Sequence, residues 1–252
     1  MTKRRIFIGD VHGYYDALMQ LLDAIAPTAE DMIYFVGDLI DRGPDSDRVV
    51  EFVMSNNCPC LLGNHEQMFL DVLEEPDLPH HIRQSWLYSG GQATLDSYGD
   101  RGIPPEHFEW LKNLPAYLDL GDIWLVHAGV HPQMPLEEQT IEQFCWIRDE
   151  FHYMVEPFFP DKLIIAGHTI TFTLPGVQPG KLARGCGWLD IDTGAYHHQS
   201  GWLTGFDYTN QQVYQVNTLT DRQRVLPLEE VVTKVHPLKL LGGRRGLRYS
   251  RS

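Results

Sequence analysis

The sequence has little cysteine, little positive charge and no long apolar runs, and each shortage excludes a class of protein. Four cysteines in 252 residues are too few and too scattered for a disulfide framework, so reduced thiols are expected at Cys58, Cys60, Cys145 and Cys186. A net charge of −14 argues against nucleic-acid binding through phosphate neutralisation. No stretch approaches the roughly 20 apolar residues that span a bilayer, and the apolar run after the basic N-terminus is too short for a signal peptide. We therefore expect a cytoplasmic monomer that binds neither nucleic acid nor membrane.

Short apolar runs alternate with helical patterns through the first third of the chain. Residues 5–8 and 32–36 are apolar runs that end before Gly-Asp, which is typical of strands. Between them the apolar residues of segment 16–25 recur on one helical face. Ser46 and Glu66 begin two further helical patterns, and a third strand is expected to end at residues 61–62. This alternation is the pattern of βαβ units with a parallel sheet.

Strand patterns return after a helical middle at residues 78–115, in segments 123–126, 163–166, 188–191, 202–206 and 212–216. This late run of strands predicts a second sheet packed on the first. The expected fold is therefore α/β: a two-sheet β-sandwich flanked by helices and built on βαβαβ units. We expect one domain over residues 1–220 and a C-terminal extension over residues 221–252.

Oxygen- and nitrogen-bearing side chains follow five of the predicted strands, with glycine nearby each time. These candidate metal ligands are Asp10, His12, Asp38, Asn64, His127 and His168. One such residue alone is most often part of a turn, but five strand ends are harder to explain in that way. The carboxyl ends of strands are also where open α/β sheets place their ligands.

Carboxylate, amide and imidazole ligands without a thiolate suit Mn²⁺, Fe or Zn²⁺. Six ligands are more than one ion needs, so two divalent metal ions that share a bridging carboxylate are expected, with Mn²⁺ preferred. Such a pair activates water for in-line attack at phosphorus and holds the leaving oxygen. The residues therefore indicate hydrolysis of a phosphoester.

The same residues form motifs that resemble those of a known family. Gly9-Asp10-Val11-His12-Gly13, Gly37-Asp38 through Asp41-Arg42-Gly43, and Gly63-Asn64-His65-Glu66 are similar to the three-part signature of PPP-type Ser/Thr phosphoprotein phosphatases. These phosphatases belong to the calcineurin-like metallophosphoesterase superfamily, and the later motifs resemble its short bacterial and phage members. The resemblance covers most of the chain and implies the four-layer fold of that superfamily.

The resemblance implies two metal sites that share one residue. The first metal would be held by Asp10, His12 and the bridging Asp38. The second would be held by Asp38, Asn64, His127 and His168.

Four further residues take roles in catalysis by the same resemblance. His65 would protonate the leaving alcohol and Asp41 would orient His65, since an imidazole can donate a proton near neutral pH. Arg42 and Arg148 would bind the phosphate oxygens, which match the geometry of a guanidinium. Arg184 is a rival phosphate contact, although a surface arginine is the simpler interpretation.

Three functions stay open at this point. A Ser/Thr protein phosphatase acting on a phosphorylated protein, or on a small phosphoester, is the leading hypothesis. The alternative is a symmetrical bis(5'-nucleosyl)-tetraphosphatase, that is, a diadenosine tetraphosphate hydrolase. Those hydrolases generally replace the residues corresponding to Asp41 and Glu66, and both are retained here. A non-catalytic metal-binding scaffold is the remote third.

The last fourteen residues differ in charge from the rest of the chain. Segment 239–252 carries Lys239, Arg244, Arg245, Arg248 and Arg251 and no acidic residue. A solvated tail is the simpler interpretation, and docking of an acidic partner is the alternative.

Overall fold

The computed structural model describes residues 3–75, 78–220 and 222–237. Strands and helices alternate in the first half of this range, and strands dominate its last third. The strands are β1 (Arg5–Ile8), β2 (Met32–Phe35), β3 (Tyr117–Asp119), β4 (Ile123–Val126), β5 (Leu163–Ala166), β6 (Leu182–Arg184), β7 (Trp188–Asp190), β8 (Trp202–Asp207), β9 (Gln212–Asn217), β10 (Gln223–Pro227) and β11 (Val232–Lys234). The α-helices are α1 (Tyr15–Ile25), α2 (Ser46–Ser55), α3 (Asn64–Glu74), α4 (His80–Trp86), α5 (Gln92–Tyr98), α6 (Pro105–Lys112), α7 (Ile141–Trp146), α8 (Asp149–His152) and α9 (Leu228–Val231).

The strands of the described residues form two mixed sheets. The first has the order β10-β9-β8-β1-β2, and the second has the order β11-β6-β7-β5-β4-β3. β1 is parallel to β2 and antiparallel to β8. In the second sheet β5 lies between β4 and β7, parallel to both. The expectation that all late strands form the second sheet is therefore wrong for β8 and β9, which join β1 in the first sheet.

The predicted third strand is reduced to a single bridge. Cys60 pairs in parallel with Phe35, whose N–H donates to Pro59 O at 2.9 Å and whose carbonyl accepts from Leu61 N–H at 3.1 Å. Pro59 has no N–H to extend the ladder. The N–H of Leu62 then leaves this edge and donates to Pro115 O at 2.9 Å. The segment still leads into α3 at the edge of the sheet where the site forms.

The two sheets face each other across a buried apolar layer. Phe7, Leu125, Ile165 and Phe206 belong to one cluster, and each is 0% exposed. Side chains alternate along a strand, so the residues beside Phe7 point away from this layer and pack in the cluster that includes the apolar face of α1. Complete burial of such side chains stabilises the fold by about 1.5–3 kcal/mol each. The predicted two-sheet sandwich flanked by helices is confirmed.

The middle of the chain is helical with breaks, as predicted. A kinked turn, Leu87–Gly91, joins α4 to α5, and Gly90 within it has a φ of 115°. This conformation favours glycine, and a Cβ at this position would also crowd the backbone of Arg42. The turn therefore lies directly against the loop after β2.

The described part of the expected C-terminal extension adds a strand to each sheet. β10 pairs with β9, and β11 pairs with β6. The boundary at residue 220 stays a prediction, and the basic tail 239–252 lies outside the described residues. Within the described ranges, no helix is both long and apolar enough to cross a membrane.

Candidate metal centre

The loops after β1 and β2 are held together by their backbones. The N–H groups of Val11 and His12 donate to Asp38 O at 3.0 and 2.9 Å, and Gly13 N–H donates to Leu39 O at 2.7 Å. β1 and β2 are parallel neighbours, so both loops leave the same edge of the sheet. The structure brings the six predicted ligands into one buried cluster at this edge, each at most 6% exposed.

Asp38 lies between two imidazoles whose unprotonated nitrogens face it. Nδ1 of His12 lies 2.9 Å from Ile40 O, and Nδ1 of His127 lies 2.9 Å from Val36 O, so both Nδ1 atoms are donors. Their Nε2 lone pairs point at the two carboxylate oxygens, 3.6 Å from Oδ2 for His12 and 3.4 Å from Oδ1 for His127. Lone pairs that converge on one carboxylate in this way fit a cation between them.

Two groups of potential ligands share Asp38. One joins His12, Asp38 and His65, and the other joins Asp38, His127 and His168. Asn64 completes the second group, because its Oδ1 lies 3.1 Å from Nε2 of His127 and 2.8 Å from Nδ1 of His168. The side chains present therefore fit two metal ions with one bridging carboxylate.

Asp10 joins the cluster through the backbone of His168. Its carboxylate accepts the His168 N–H at 3.1 Å, and a Cβ at Gly167 would overlap Asp10 Oδ1. Neither of the two groups just described includes Asp10. The roles of the six residues as ligands stay predictions, although the structure places all six together.

Burial sets the charge of the cluster. It lowers the pKa of His12, His127 and His168, so these imidazoles are neutral and can offer lone pairs to a metal. Burial, followed by the charges of Asp192 and Asp38, raises the pKa of Asp10. Bound cations would offset the free-energy cost of burying these carboxylates, which agrees with the ligand geometry.

Backbone strain is concentrated at the site. Eight described residues other than glycine have a positive φ, and five of them are site residues. These are His12, Asp38, Asp41, Arg42 and His168, with φ between 50° and 72°. Each such residue costs on the order of 1–3 kcal/mol, which the surrounding fold must offset. The strain is consistent with side chains that are positioned for a purpose other than stability.

Glu66 anchors the strained loop after β2. Its Oε2 accepts the N–H groups of Asp38 at 2.8 Å and Gly63 at 3.0 Å, while its Oε1 accepts those of Leu39 at 2.8 Å and Ile40 at 3.3 Å. The carboxylate is 0% exposed. Four donors on one carboxylate fix the backbone that carries Asp38.

Asp41 and His65 form the predicted pair, and two residues that the sequence did not indicate complete it. Nδ1 of His65 lies 2.6 Å from Oδ2 of Asp41. Trp86 Nε1–H donates to the same oxygen at 2.9 Å, and the Thr94 hydroxyl donates to Oδ1 at 2.6 Å. These contacts leave Nε2 of His65 as the ring nitrogen available to a substrate.

Arg42 lies on the His12 side of the cluster. Its Nη1 donates to His12 Nε2 at 2.8 Å, and its Nε donates to Ser89 O at 3.3 Å. The guanidinium stacks on Tyr196, with Cζ 3.7 Å from the ring centroid. Tyr196 also meets the His12 ring edge-to-face at 5.0 Å. No motif in the sequence pointed to Tyr196.

Arg148 lies on the opposite side, beside His168. Its Nη1 donates to Thr169 Oγ1 at 3.1 Å and to His168 O at 3.4 Å. The rival, Arg184, instead forms an ion pair with Glu229 at 3.2 Å. The structure therefore places the two arginines of the resemblance, and not the rival, against the ligand residues.

The cysteines take no part in the cluster. All four are free thiols, and Cys60 and Cys145 are buried, which raises the pKa of both. A high thiol pKa disfavours the thiolate that metals bind. The four thiols are unpaired here, and their reduced state stays a prediction.

Comparison with known proteins identifies the family to which the chain belongs. A family model described as calcineurin-like phosphoesterase matches residues 3–221. The chain belongs to that family. Over 143 residues this phosphoesterase is 36% identical to the zinc-dependent endopolyphosphatase of Saccharomyces cerevisiae, an alignment that covers 54% of this chain and 43% of that protein. Over 129 residues it is 35% identical to the symmetrical bis(5'-nucleosyl)-tetraphosphatase of Dechloromonas aromatica, covering 50% of this chain and 44% of that protein.

A solved structure gives the same fold. A crystal structure of a candidate diadenosine tetraphosphatase matches this phosphoesterase with a TM-score of 0.63 and 20% sequence identity, over 90% of this chain and 94% of that chain. At this identity the likeness shows the fold alone. The curated relatives, in turn, are aligned over less than half of their own length.

The comparisons confirm one part of the resemblance and leave another open. Membership of the calcineurin-like superfamily is confirmed over most of the chain. The narrower assignment to Ser/Thr protein phosphatases is not confirmed, because the two curated relatives quoted above are named for a dinucleoside tetraphosphate and for polyphosphate. The substrate must therefore be argued from the chemistry of the site.

Proposed function

We propose that this phosphoesterase is a metal-dependent hydrolase that cleaves dinucleoside tetraphosphates symmetrically. Diadenosine tetraphosphate and water would give two molecules of ADP. The observation that carries the hydrolytic mechanism is the position of Asp38, whose two oxygens face Nε2 of His12 and Nε2 of His127 at 3.6 and 3.4 Å. One carboxylate serves two cation sites in this arrangement, with Mn²⁺ the expected ion and Fe or Zn²⁺ the alternatives.

The residues around Asp38 have separate roles in an in-line displacement at phosphorus. Two divalent ions, when bound, supply Lewis-acid polarisation and an activated water. Arg42 and Arg148 lie on opposite sides of the ligand cluster and bind the phosphate oxygens, because guanidinium groups match phosphate geometry. In its imidazolium form His65 would donate the Nε2 proton to the leaving group, while Asp41 accepts the Nδ1 N–H, orients the ring and stabilises its positive charge.

The preference for a phosphoanhydride substrate is supported by the relatives. The two curated relatives quoted above are named for activity on a dinucleoside tetraphosphate and on polyphosphate, and both substrates are chains of linked phosphates. Two arginines on opposite sides of the centre suit such a chain, because charges then lie near phosphates on both sides of the bond that breaks.

A second candidate is the hydrolysis of phosphoserine or phosphothreonine in a phosphorylated protein. The observation that favours it is the contact of 2.6 Å between His65 and Asp41, with Trp86 and Thr94 behind it. An alkoxide leaving group needs a proton, whereas a nucleoside diphosphate is already a good leaving group. A proton donor that is held in place by Asp41, with Trp86 and Thr94 behind it, is therefore of most use to a phosphomonoesterase.

The two candidates are separated by comparing substrates with the same Mn²⁺-loaded protein. The value of kcat/KM is measured for diadenosine tetraphosphate and for a phosphothreonine peptide, and nucleotide products are resolved by chromatography. We expect the dinucleotide to be preferred and ADP to be the nucleotide product. A preference for the peptide, or ATP and AMP as products, would contradict the proposal. Activity on p-nitrophenyl phosphate excludes the scaffold alternative.

A further inference from the structure

Trp146 is an exposed aromatic side chain at the edge of the metal centre. It is 40% exposed, although it stands between the buried residues Cys145 and Ile147. Its ring centroid lies 6.3 Å from that of His168, and the two ring planes are inclined by 76°. The indole is therefore accessible to a ligand at the edge of the centre.

The local backbone holds Trp146 in this position. Thr140 caps the N-terminus of α7, since its hydroxyl accepts the Glu142 N–H, and the helix ends at Trp146. Ile147 follows in an extended conformation, with φ −60° and ψ 145°, and is buried. Trp146 and Arg148 both lie beside His168, the indole with ring centroids 6.3 Å apart and the guanidinium through Nη1, which donates to His168 O at 3.4 Å. The indole and a guanidinium thus stand together next to His168.

The contacts of Arg148 place Trp146 and Arg148 at the edge of the candidate metal centre. Arg148 Nη1 donates to Thr169 Oγ1 at 3.1 Å, one residue beyond His168. On the other side of the cluster the ring of Tyr196 is already covered by Arg42, at 3.7 Å. Trp146, by contrast, is 40% exposed and lies next to a cation suited to phosphate.

We propose that Trp146 is a stacking platform for one nucleobase of the substrate, with Arg148 beside it on the phosphate chain that the nucleoside carries. This assignment rests on the proposed function, because a dinucleoside tetraphosphate supplies a base and a phosphate chain in one molecule. Stacking on an aromatic ring tolerates any base, so the platform recognises a nucleobase as a class and does not choose among bases.

The test compares substrates with and without a nucleobase. Trp146→Leu and Trp146→Phe are assayed with diadenosine tetraphosphate and with p-nitrophenyl phosphate. We expect Trp146→Leu to lower the ratio of kcat/KM for the dinucleotide to that for the nitrophenyl ester about tenfold, mainly through KM, and Trp146→Phe to restore most of it. Tyr117→Leu is the matched control, because Tyr117 is also 40% exposed and lies on β3, and it should leave the ratio unchanged.

Product inhibition separates a failure of this inference from a failure of the proposed function. Inhibition of p-nitrophenyl phosphate hydrolysis is measured with ADP and with pyrophosphate, which lacks the base. We expect Trp146→Leu to weaken inhibition by ADP about tenfold and to change inhibition by pyrophosphate much less. If the wild-type protein does not cleave the dinucleotide but ADP inhibition depends on Trp146, the proposed function is wrong and the platform stands.

Other outcomes overturn the platform itself. An unchanged substrate ratio together with unchanged ADP inhibition would show that no base stacks on Trp146. Equal losses on every substrate would assign it to the structure of the metal centre. A larger loss on a phosphothreonine peptide than on the dinucleotide would assign it to peptide binding.

Discussion

The pair formed by Asp41 and His65 makes a prediction that depends on the leaving group. Asp41 is 0% exposed and accepts from His65 at 2.6 Å, from Trp86 at 2.9 Å and from Thr94 at 2.6 Å. In Asp41→Asn the amide oxygen can replace Oδ2, which holds the first two contacts. The amide N–H then meets the Thr94 hydroxyl, which can rotate to accept. The variant should therefore fold, at a cost on the order of 1 kcal/mol, and retain its metals.

What Asp41→Asn removes is the negative charge behind His65. Loss of general acid catalysis costs about 10²- to 10⁴-fold when the leaving group is poor. We expect kcat for phenyl phosphate to fall by at least about 100-fold, and kcat for p-nitrophenyl phosphate, whose leaving group needs less help, to fall by less than about tenfold.

The assay measures both rates together with metal content and melting temperature. Asp45→Asn is the matched control: it removes a carboxylate from the same loop, but one that pairs with Arg48 at 3.3 Å. Equal losses on the two aryl phosphates would refute the reasoning, because they would mean that Asp41 supports the centre and not the proton donor.

Three further substitutions test how the site and the fold are held. Gly63→Ala places a Cβ against Asp38 Oδ1, so metal content and activity should both fall sharply, and a fully active variant would contradict the geometry. Glu66→Gln turns an N–H₂ group toward backbone donors and should lower the free energy of unfolding by about 2–4 kcal/mol in urea titration; a change near zero would count against the anchor. Arg4 lowers the pKa of Asp31 through a hydrogen bond, so Asp31 stabilises the fold above its unfolded pKa of about 4. The stability lost in Asp31→Asn should therefore be largest near neutral pH and shrink as pH falls below about 4, and a pH-independent loss would exclude the ion pair as its cause.

The residues of the buried cluster could be predicted from the sequence because local patterns indicate them. Asp10, Asp38 and His168 each sit directly after a glycine at the end of an apolar run, and the carboxyl ends of neighbouring strands meet at one edge. The close approach of Gly167 to Asp10 explains why glycine marks such positions. The strand periodicity therefore predicts where these residues meet.

The residues that support the site follow no local sequence pattern of this kind. Trp86 and Thr94 lie 45 and 53 residues beyond Asp41, on helices whose own patterns indicate only packing. Tyr196 reaches Arg42 and His12 from a loop far along the chain. Contacts of this kind follow from tertiary packing, which spacing in the sequence does not encode.

The sheet to which β8 and β9 belong was predicted wrongly for a related reason. Apolar alternation shows that β8 and β9 are strands, but it does not name their partners. β8 pairs with β1, nearly 200 residues earlier in the chain, so that Phe206 lies opposite Phe7. The predicted third strand was reduced to a bridge because Pro59 lacks the N–H that a ladder requires.

The metal content of the wild-type protein and of Asp38→Asn tests the central claim most directly. Both proteins are saturated with Mn²⁺, freed of loose ions and analysed for bound metal per chain, and hydrolysis of p-nitrophenyl phosphate is measured on the same samples. The shared carboxylate predicts two ions per chain in the wild type, and one or fewer with little activity in Asp38→Asn. Two ions and a near-normal rate in the variant would contradict the account.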